Sequence, residues 1–233
     1  GVTVENVVKR FEDTPALHGV SLEVGAGELL ALLGPSGSGK TTLLRILATS
    51  LRPSFGRAEV LGIDIGQRPD LIRARVAYLS HANGLYDDLT AAENLRFTAS
   101  MRGIEDPGLV AGAALGEIGL AADAHHRVRG FSAGMRRRLA LGRLILGTPS
   151  VVLLDEPHAA LDADGMALVD RLMARWRDHA VTVVVASHQA DRITRLADGW
   201  ARLDGGLLVE AGGSGVSIGA SQAFGIPAPV AGA

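Results

Sequence analysis

The chain has no cysteine, almost no lysine, little net charge and no long hydrophobic run. Without cysteine there is no disulfide framework, which fits a reducing compartment. No window approaches the roughly 18 uninterrupted apolar residues that would span a bilayer. The most apolar stretch, Leu139 to Leu154, is broken by Arg143, Gly147 and Pro149. A formal net charge of −2 excludes the global basic field of a nucleic-acid binder. Polar and charged residues interrupt the N-terminus where a signal peptide would need an apolar core, so the chain reads as soluble and intracellular. What is present is ample apolar material: 47% of 233 residues, enough for the core of one or two domains.

Of 23 basic residues only Lys9 and Lys40 are lysines, and a lysine kept at one place asks for a reason. Lys40 belongs to the run Gly34, Pro35, Ser36, Gly37, Ser38, Gly39, Lys40, Thr41, Thr42. The spacing is G-x-x-x-x-G-K-[ST], a loop that cradles the phosphates of a nucleoside triphosphate. Glycines let the backbone curl until successive N–H groups face one centre. A compact ammonium enters that nest where a planar guanidinium would not fit. Thr41 is placed to offer its hydroxyl to Mg²⁺, and the helix that follows adds its positive dipole end. Context supports the motif. Leu29 to Leu33 reads as a buried parallel strand, and Thr42 to Ala48 carries apolar residues at helical spacing.

Alternation predicts half-exposed strands at Val2–Val7 and Gly19–Val24, with further strands near Ala58–Leu61 and Val76–Leu79. Helical patterns run from Leu89 to about Leu120, with a second helix at Leu109–Ile118. Another helix spans Ser132 to Leu146, with Ser132 as its N-cap. Val151–Leu154 and Val181–Ala186 read as buried strands flanking a helix over Asp164–Arg177. Buried strands alternating with helices imply an α/β fold with a parallel sheet covered on both faces. Asp155 and Glu156 end one apolar strand, and ligands of such sheets sit beyond the carboxyl ends of the strands. There Asp155 is a candidate Mg²⁺ ligand and Glu156 a candidate general base for an attacking water. The competing reading is an ordinary Asp-Glu-Pro turn. Ser187-His188 follows the next strand and would lie beside Asp155 if the two strands are neighbours, with His188 reaching the γ-phosphate.

With these residues in view, the chain resembles the ATP-binding subunit of ABC transporters over nearly all of positions 2–210. Phe11 sits where that family stacks a ring on adenine. Phe131-Ser132-Ala133-Gly134-Met135 is similar to the signature L-S-G-G-Q in its serine and second glycine, and Asp162 falls in the segment called the D-loop. His188 resembles the switch histidine. The family glutamine after the Tyr78-Leu79 strand is replaced by His81, and His81 followed by Gly84-Leu85 is most similar to the haem-exporter ATP-binding subunit of cytochrome c maturation. Drug exporters share much of the Leu89–Phe97 segment and are the alternative. A soluble, non-transport ATPase is disfavoured by the single core and the lack of heptads.

The resemblance implies a P-loop ATPase core over 1–211, with an N-terminal antiparallel β subdomain and a helical subdomain inserted at about 82–146. A disordered Gly/Ser/Ala/Pro tail would follow over 212–233. It further implies ATP and Mg²⁺ as ligands, with ATP sandwiched head to tail between Lys40 of one subunit and Ser132 and Gly134 of another. The second subunit would be another copy or a related ATPase. The expected partner is an integral membrane permease docking near His81 to Leu89, with this chain peripheral on the cytoplasmic face of the cell membrane and no nucleic acid involved. Met135 and Ala133 depart from the signature; Ser132 and the helix N–H groups remain, so activity is expected to survive. Arg136-Arg137-Arg138 reads as the exposed side of the signature helix.

Overall fold

The computed structural model describes residues 1–12, 14–213 and the backbone of 216–218. The chain opens with two long strands, β1 (Val2–Phe11) and β2 (Thr14–Val24), paired antiparallel. Next come β3 (Leu29–Leu33), helix α1 (Lys40–Leu47), β4 (Phe55–Val60), β5 (Ile63–Asp64), α2 (Pro69–Arg73) and β6 (Val76–Leu79). Two helices, α3 (Ala91–Met101) and α4 (Pro107–Glu117), precede α5 (Ala133–Leu144). The remainder alternates: β7 (Val151–Asp155), α6 (Ala163–Asp178), β8 (Thr182–Ala186), the short α7 (Ala190–Ile193), β9 (Gly199–Asp204), β10 (Leu207–Gly213) and β11 (Val216–Ile218).

These strands form two sheets. One is antiparallel, in the order β11-β2-β1-β4-β5; the other runs β10-β9-β3-β8-β7-β6. In the second sheet β3, β6, β7, β8 and β9 are mutually parallel where they pair, and β10 closes one edge antiparallel. Every residue of β3, β7 and β8 is buried, as near-continuous Val/Leu runs require. The two-residue strand period then sorts their side chains between two cores. Leu29, Ala31, Val152, Leu154, Val183 and Val185 pack with α3–α6. Leu30, Leu32, Val151, Leu153 and Val184 pack with Leu43, Leu44 and Leu47 of α1 and with the valines of the antiparallel sheet. The helix after the glycine loop is therefore clamped between two sheets.

The helical region has its own local reasons. Thr90 caps α3 with a reciprocal box: its Oγ1 accepts from the Glu93 N–H at 3.1 Å, and Glu93 Oε2 accepts from the Thr90 N–H at 2.8 Å. Buried Asn94 accepts from the Tyr86 N–H at 2.8 Å and donates to the Tyr86 and Thr90 carbonyls, which fixes the loop before the helix. Pro107 starts α4 two residues earlier than the leucine pattern suggests, because its missing N–H is harmless in a first turn.

Several boundaries differ from the sequence expectation. Strand β2 begins at Thr14 rather than Gly19, held by its hairpin with β1, and β4 begins at Phe55. The expected tail from residue 212 is corrected at its start: Gly212 and Gly213 belong to β10, and Val216–Ile218 pairs with Val24, Glu23 and Leu22 of β2. At Gly213 glycine is required rather than permissive. A Cβ on Gly212 would meet the Trp200 indole at 3.0 Å, and Gly213 sits at φ +95° against the Asp198 carbonyl. The rest of the expected tail lies outside the described residues.

Candidate functional site

Strand order β3-β8-β7 brings three chain segments to one end of the parallel sheet: the glycine loop after β3, Asp155-Glu156 ending β7, and Ser187-His188 after β8. The loop is built from close approaches. Gly34, at φ 141°, runs so near the Leu203 carbonyl that any Cβ would collide with it, and a Cβ on Gly39, at φ 103°, would lie 2.7 Å from the Ala16 carbonyl. Only glycine adopts these angles without strain. Gly39 leads directly into α1 with no side-chain cap, so the first N–H groups of that helix stay available to an anion.

Lys40 is 7% exposed, and its Nζ donates to the Gly34 and Pro35 carbonyls at 2.7 and 2.9 Å. Burial lowers its pKa, against the pull of Glu156 and Asp155. Thr41 Oγ1 donates to Asp155 Oδ1 at 3.1 Å. The second carboxylate oxygen, Asp155 Oδ2, and Ser38 Oγ are both buried without a hydrogen-bond partner. Burial also raises the Asp155 pKa, so its charge is poorly supported by the protein alone. An unpartnered carboxylate oxygen beside a threonine hydroxyl is an all-oxygen donor set of the kind that suits Mg²⁺. Among the described residues there is no cluster of three or more His, Asp, Glu or Cys side chains able to cage a metal. These residues therefore fit an ion that also takes phosphate oxygens and water.

Glu156 adopts φ 48°, a left-handed backbone unusual for a non-glycine residue and a form of strain that concentrates at functional sites. Its N–H donates to the Ala186 carbonyl at 2.9 Å, pinning it to β8. His188 Nδ1 lies 2.8 Å from Glu156 Oε2, and Ser187 Oγ donates to the same oxygen at 3.4 Å. The neighbour of His188 is thus Glu156 rather than Asp155.

Other candidates occupy the surrounding elements. Phe11 ends β1, is 45% exposed, and has Lys9 Nζ 5.1 Å from its ring centroid. Ser132 caps α5, its Oγ accepting from the Met135 N–H at 3.2 Å, and Ala133 opens the helix. Gly134 stands where a Cβ would be 3.0 Å from the Ala160 carbonyl, so the start of α5 touches the turn before α6. Met135 packs on the helical core. Asp162 caps α6 through the Gly165 N–H at 2.9 Å and receives Arg138 at 2.6 Å. His81 is exposed in the turn after β6.

The residue that sequence reasoning misplaced is Arg137. Arg136 and Arg138 do pair at the surface, with Asp87 and Asp162, but Arg137 is 4% exposed. Its guanidinium donates to the carbonyls of Asp155 at 2.5 Å, Glu156 at 2.6 Å and Ser80 at 2.9 Å, and to Asn83 Oδ1 at 3.0 Å. One side chain thus joins the acidic strand end to the turn carrying His81. A signal existed: Arg137 shares a helix face with Ala140 and Leu144 at i+3 and i+7, so it belongs to the buried stripe rather than to its charged neighbours.

Comparison with known proteins identifies the family. The model of the ABC transporter family matches residues 17–159. The chain is 34% identical to the daunorubicin resistance ATP-binding protein DrrA3 of Streptomyces coeruleorubidus, over 91% of this chain and 67% of that one. It is 41% identical to the cytochrome c biogenesis ATP-binding export protein CcmA of Cupriavidus necator, over 73% and 75%. It thus spans about two thirds of the drug-resistance relative and more of the cytochrome one. A dimeric bacterial ABC transporter cassette superposes with a TM-score of 0.86 at 25% identity, covering 91% of this chain and 98% of that one. A dimeric post-hydrolysis cassette holding ADP and Pi gives 0.85 at the same identity, again over 91% and 98%. By these matches and on this fold, the chain belongs to the ABC transporter family, as an ATP-binding domain that hydrolyses ATP with Mg²⁺.

Proposed function

We propose that this chain powers export through a separate membrane permease, and that the cargo is haem delivered for cytochrome c maturation. In this reading ATP sits on the glycine loop of one subunit and is closed over by Ser132, Ala133 and Gly134 of a second. Such a two-fold pairing buries the same surface on both copies. Phe11 would stack on the base. The loop N–H groups after Pro35 and the Lys40 ammonium, released from its two carbonyl contacts, would hold the β- and γ-phosphates. Thr41 and Asp155 would hold a magnesium ion, which when bound would supply positive charge to offset that on the departing diphosphate.

Glu156 would then act as general base. It takes a proton from water as the water oxygen bonds to the γ-phosphorus and the bridging P–O bond breaks, releasing ADP and phosphate. His188, already on Glu156, orients that carboxylate and reaches the γ-phosphate. Loss of the bridge opens the pair. The turn at His81, strapped to the acid pair by Arg137, would pass the change to the permease, with the ATPase peripheral on the cytoplasmic face of the membrane. No helix among the described residues is long and apolar enough to cross a membrane itself.

Identity of 41% to a cytochrome c biogenesis subunit, higher than to the drug-resistance relative, carries the haem reading, and His81 followed by Gly84-Leu85 supports it. A drug exporter is the second reading, favoured by the drug-resistance relative's alignment over 91% of the chain. Expression in a bacterium lacking its own haem-exporter ATPase, together with the cognate permease, separates the two. Restored c-type cytochromes support haem export. Drug tolerance without restored cytochromes supports the alternative and overturns the first.

A further inference from the structure

Two residues beyond Glu156 stands His158, an enclosed polar side chain near the site that hydrolysis does not use. It is 3% exposed, and its Nε2 lies 2.8 Å from Asp170 Oδ1 of α6. Asp170 in turn receives Arg192 of α7 through both oxygens, at 3.2 Å from Nε and 2.6 Å from the terminal nitrogen. Helix α7 starts two residues after His188, whose Nδ1 rests on Glu156. Side chains and short backbone links therefore close a ring: Glu156, His158, Asp170, Arg192, His188 and back to Glu156.

Each link has a reason. Burial lowers the His158 pKa, so the ring is neutral near pH 7 and gives its one N–H to the carboxylate. That leaves Nδ1 as a buried lone pair without a partner. A side chain present only for packing would not carry this orphan atom; a phenylalanine would fill the space without it. Asp170 is pushed up by its own burial but more strongly pulled down by Arg192 and His158, so it stays a carboxylate able to hold both. A bidentate guanidinium fixes orientation as well as distance. The arm that ends at His188 is thus fastened to the segment that carries Glu156.

We propose that His158 is a positioning residue for ATP hydrolysis: through Asp170 and Arg192 it holds the His188 segment in register with Glu156. This rests on Glu156 and His188 acting together as described above, and it assigns three further residues to their alignment.

His158→Phe keeps a ring of similar volume and removes the donor, whereas His158→Gln returns an N–H close to the place of Nε2. Arg192→Ala cuts the same connection from the surface and leaves the buried histidine alone. In Mg-ATP hydrolysis by the full chain, His158→Phe and Arg192→Ala should each lower kcat about tenfold, as misplacement of a reacting group does. KM for ATP should stay within about twofold, and His158→Gln should recover most of the rate. The Cε1–H resonance of His188, read at one fixed pH without turnover, should move in His158→Phe and Arg192→Ala and return in His158→Gln. Unchanged kcat and an unmoved resonance in both disrupting variants would overturn the proposal. So would a rate loss matched by a higher KM, lower thermal stability and no rescue by glutamine. A Glu156→Gln control that retains full activity would refute the base assignment instead, leaving the resonance to judge the His158 link.

Discussion

Replacing Arg137 by leucine should damage this protein more than any other single surface-like edit of the arginine triplet. The guanidinium is the common donor to four carbonyls, that of Pro157 the longest at 3.5 Å, and to one side-chain amide oxygen, and all of these lie around a 4% exposed group. Hydrogen bonds from a charged donor contribute about 1.5–3 kcal/mol each, although some of that is returned when the desolvated charge is removed. Leucine cancels the desolvation of the cation but leaves buried acceptors unmet, for a net loss of about 3–5 kcal/mol. At roughly 2–4 °C per kcal/mol for a chain of this size, the melting temperature should fall by about 10 °C. Arg137→Lys keeps a charge without the planar fork, and should recover part of the loss. Arg136→Leu and Arg138→Leu each remove one surface pair and should shift the melt by about 2 °C or less. Differential scanning calorimetry of the four variants beside wild type reads all of this directly. A melt for Arg137→Leu indistinguishable from Arg136→Leu would refute the assignment of Arg137 as the brace between the acid pair and the His81 turn.

Two further outcomes follow from the site. Lys40→Ala should lose most nucleotide affinity, because the loop keeps its N–H groups but not its one mobile cation; unchanged binding of a fluorescent ATP analogue would rule out the role. The buried His158, faced by Asp170, Arg192 and Glu156, has a folded pKa below its usual 6.5. A depressed pKa means the unfolded chain binds the proton more readily, so the contribution is present above about pH 6.5 and fades as pH falls through the folded value. Chemical denaturation between neutral pH and about pH 5 should therefore show a smaller acid-side stability loss for His158→Gln than for wild type. Parallel profiles would contradict the buried, neutral histidine.

The chemistry was easiest to read where a motif fixes both residue types and spacing. The run from Gly34 to Thr42 dictates its loop unaided, because few other sequences curl a backbone around phosphate. Apolar runs at Leu29–Leu33, Val151–Leu154 and Val181–Ala186 revealed the buried strands, since continuous branched and leucine residues suit a sheet covered on both faces. Strand β10 was hidden by its glycines, which look like a linker until Trp200 is seen to need the room. Arg137 was hidden among like charges; only the helix period separates it from its neighbours. His158 and Asp170 are 12 residues apart and meet across a helix start, so spacing alone gave no hint of the contact.

The most direct test combines hydrolysis and assembly in one pair of proteins. Given ATP and Mg²⁺, wild type should release phosphate, while Glu156→Gln should release about a hundredfold less yet accumulate as a two-chain species in light scattering. Phosphate release from Glu156→Gln at the wild-type rate, or a Glu156→Gln variant that binds ATP and stays a single chain, would contradict an ATP clamped between two subunits and cleaved with Glu156 as base.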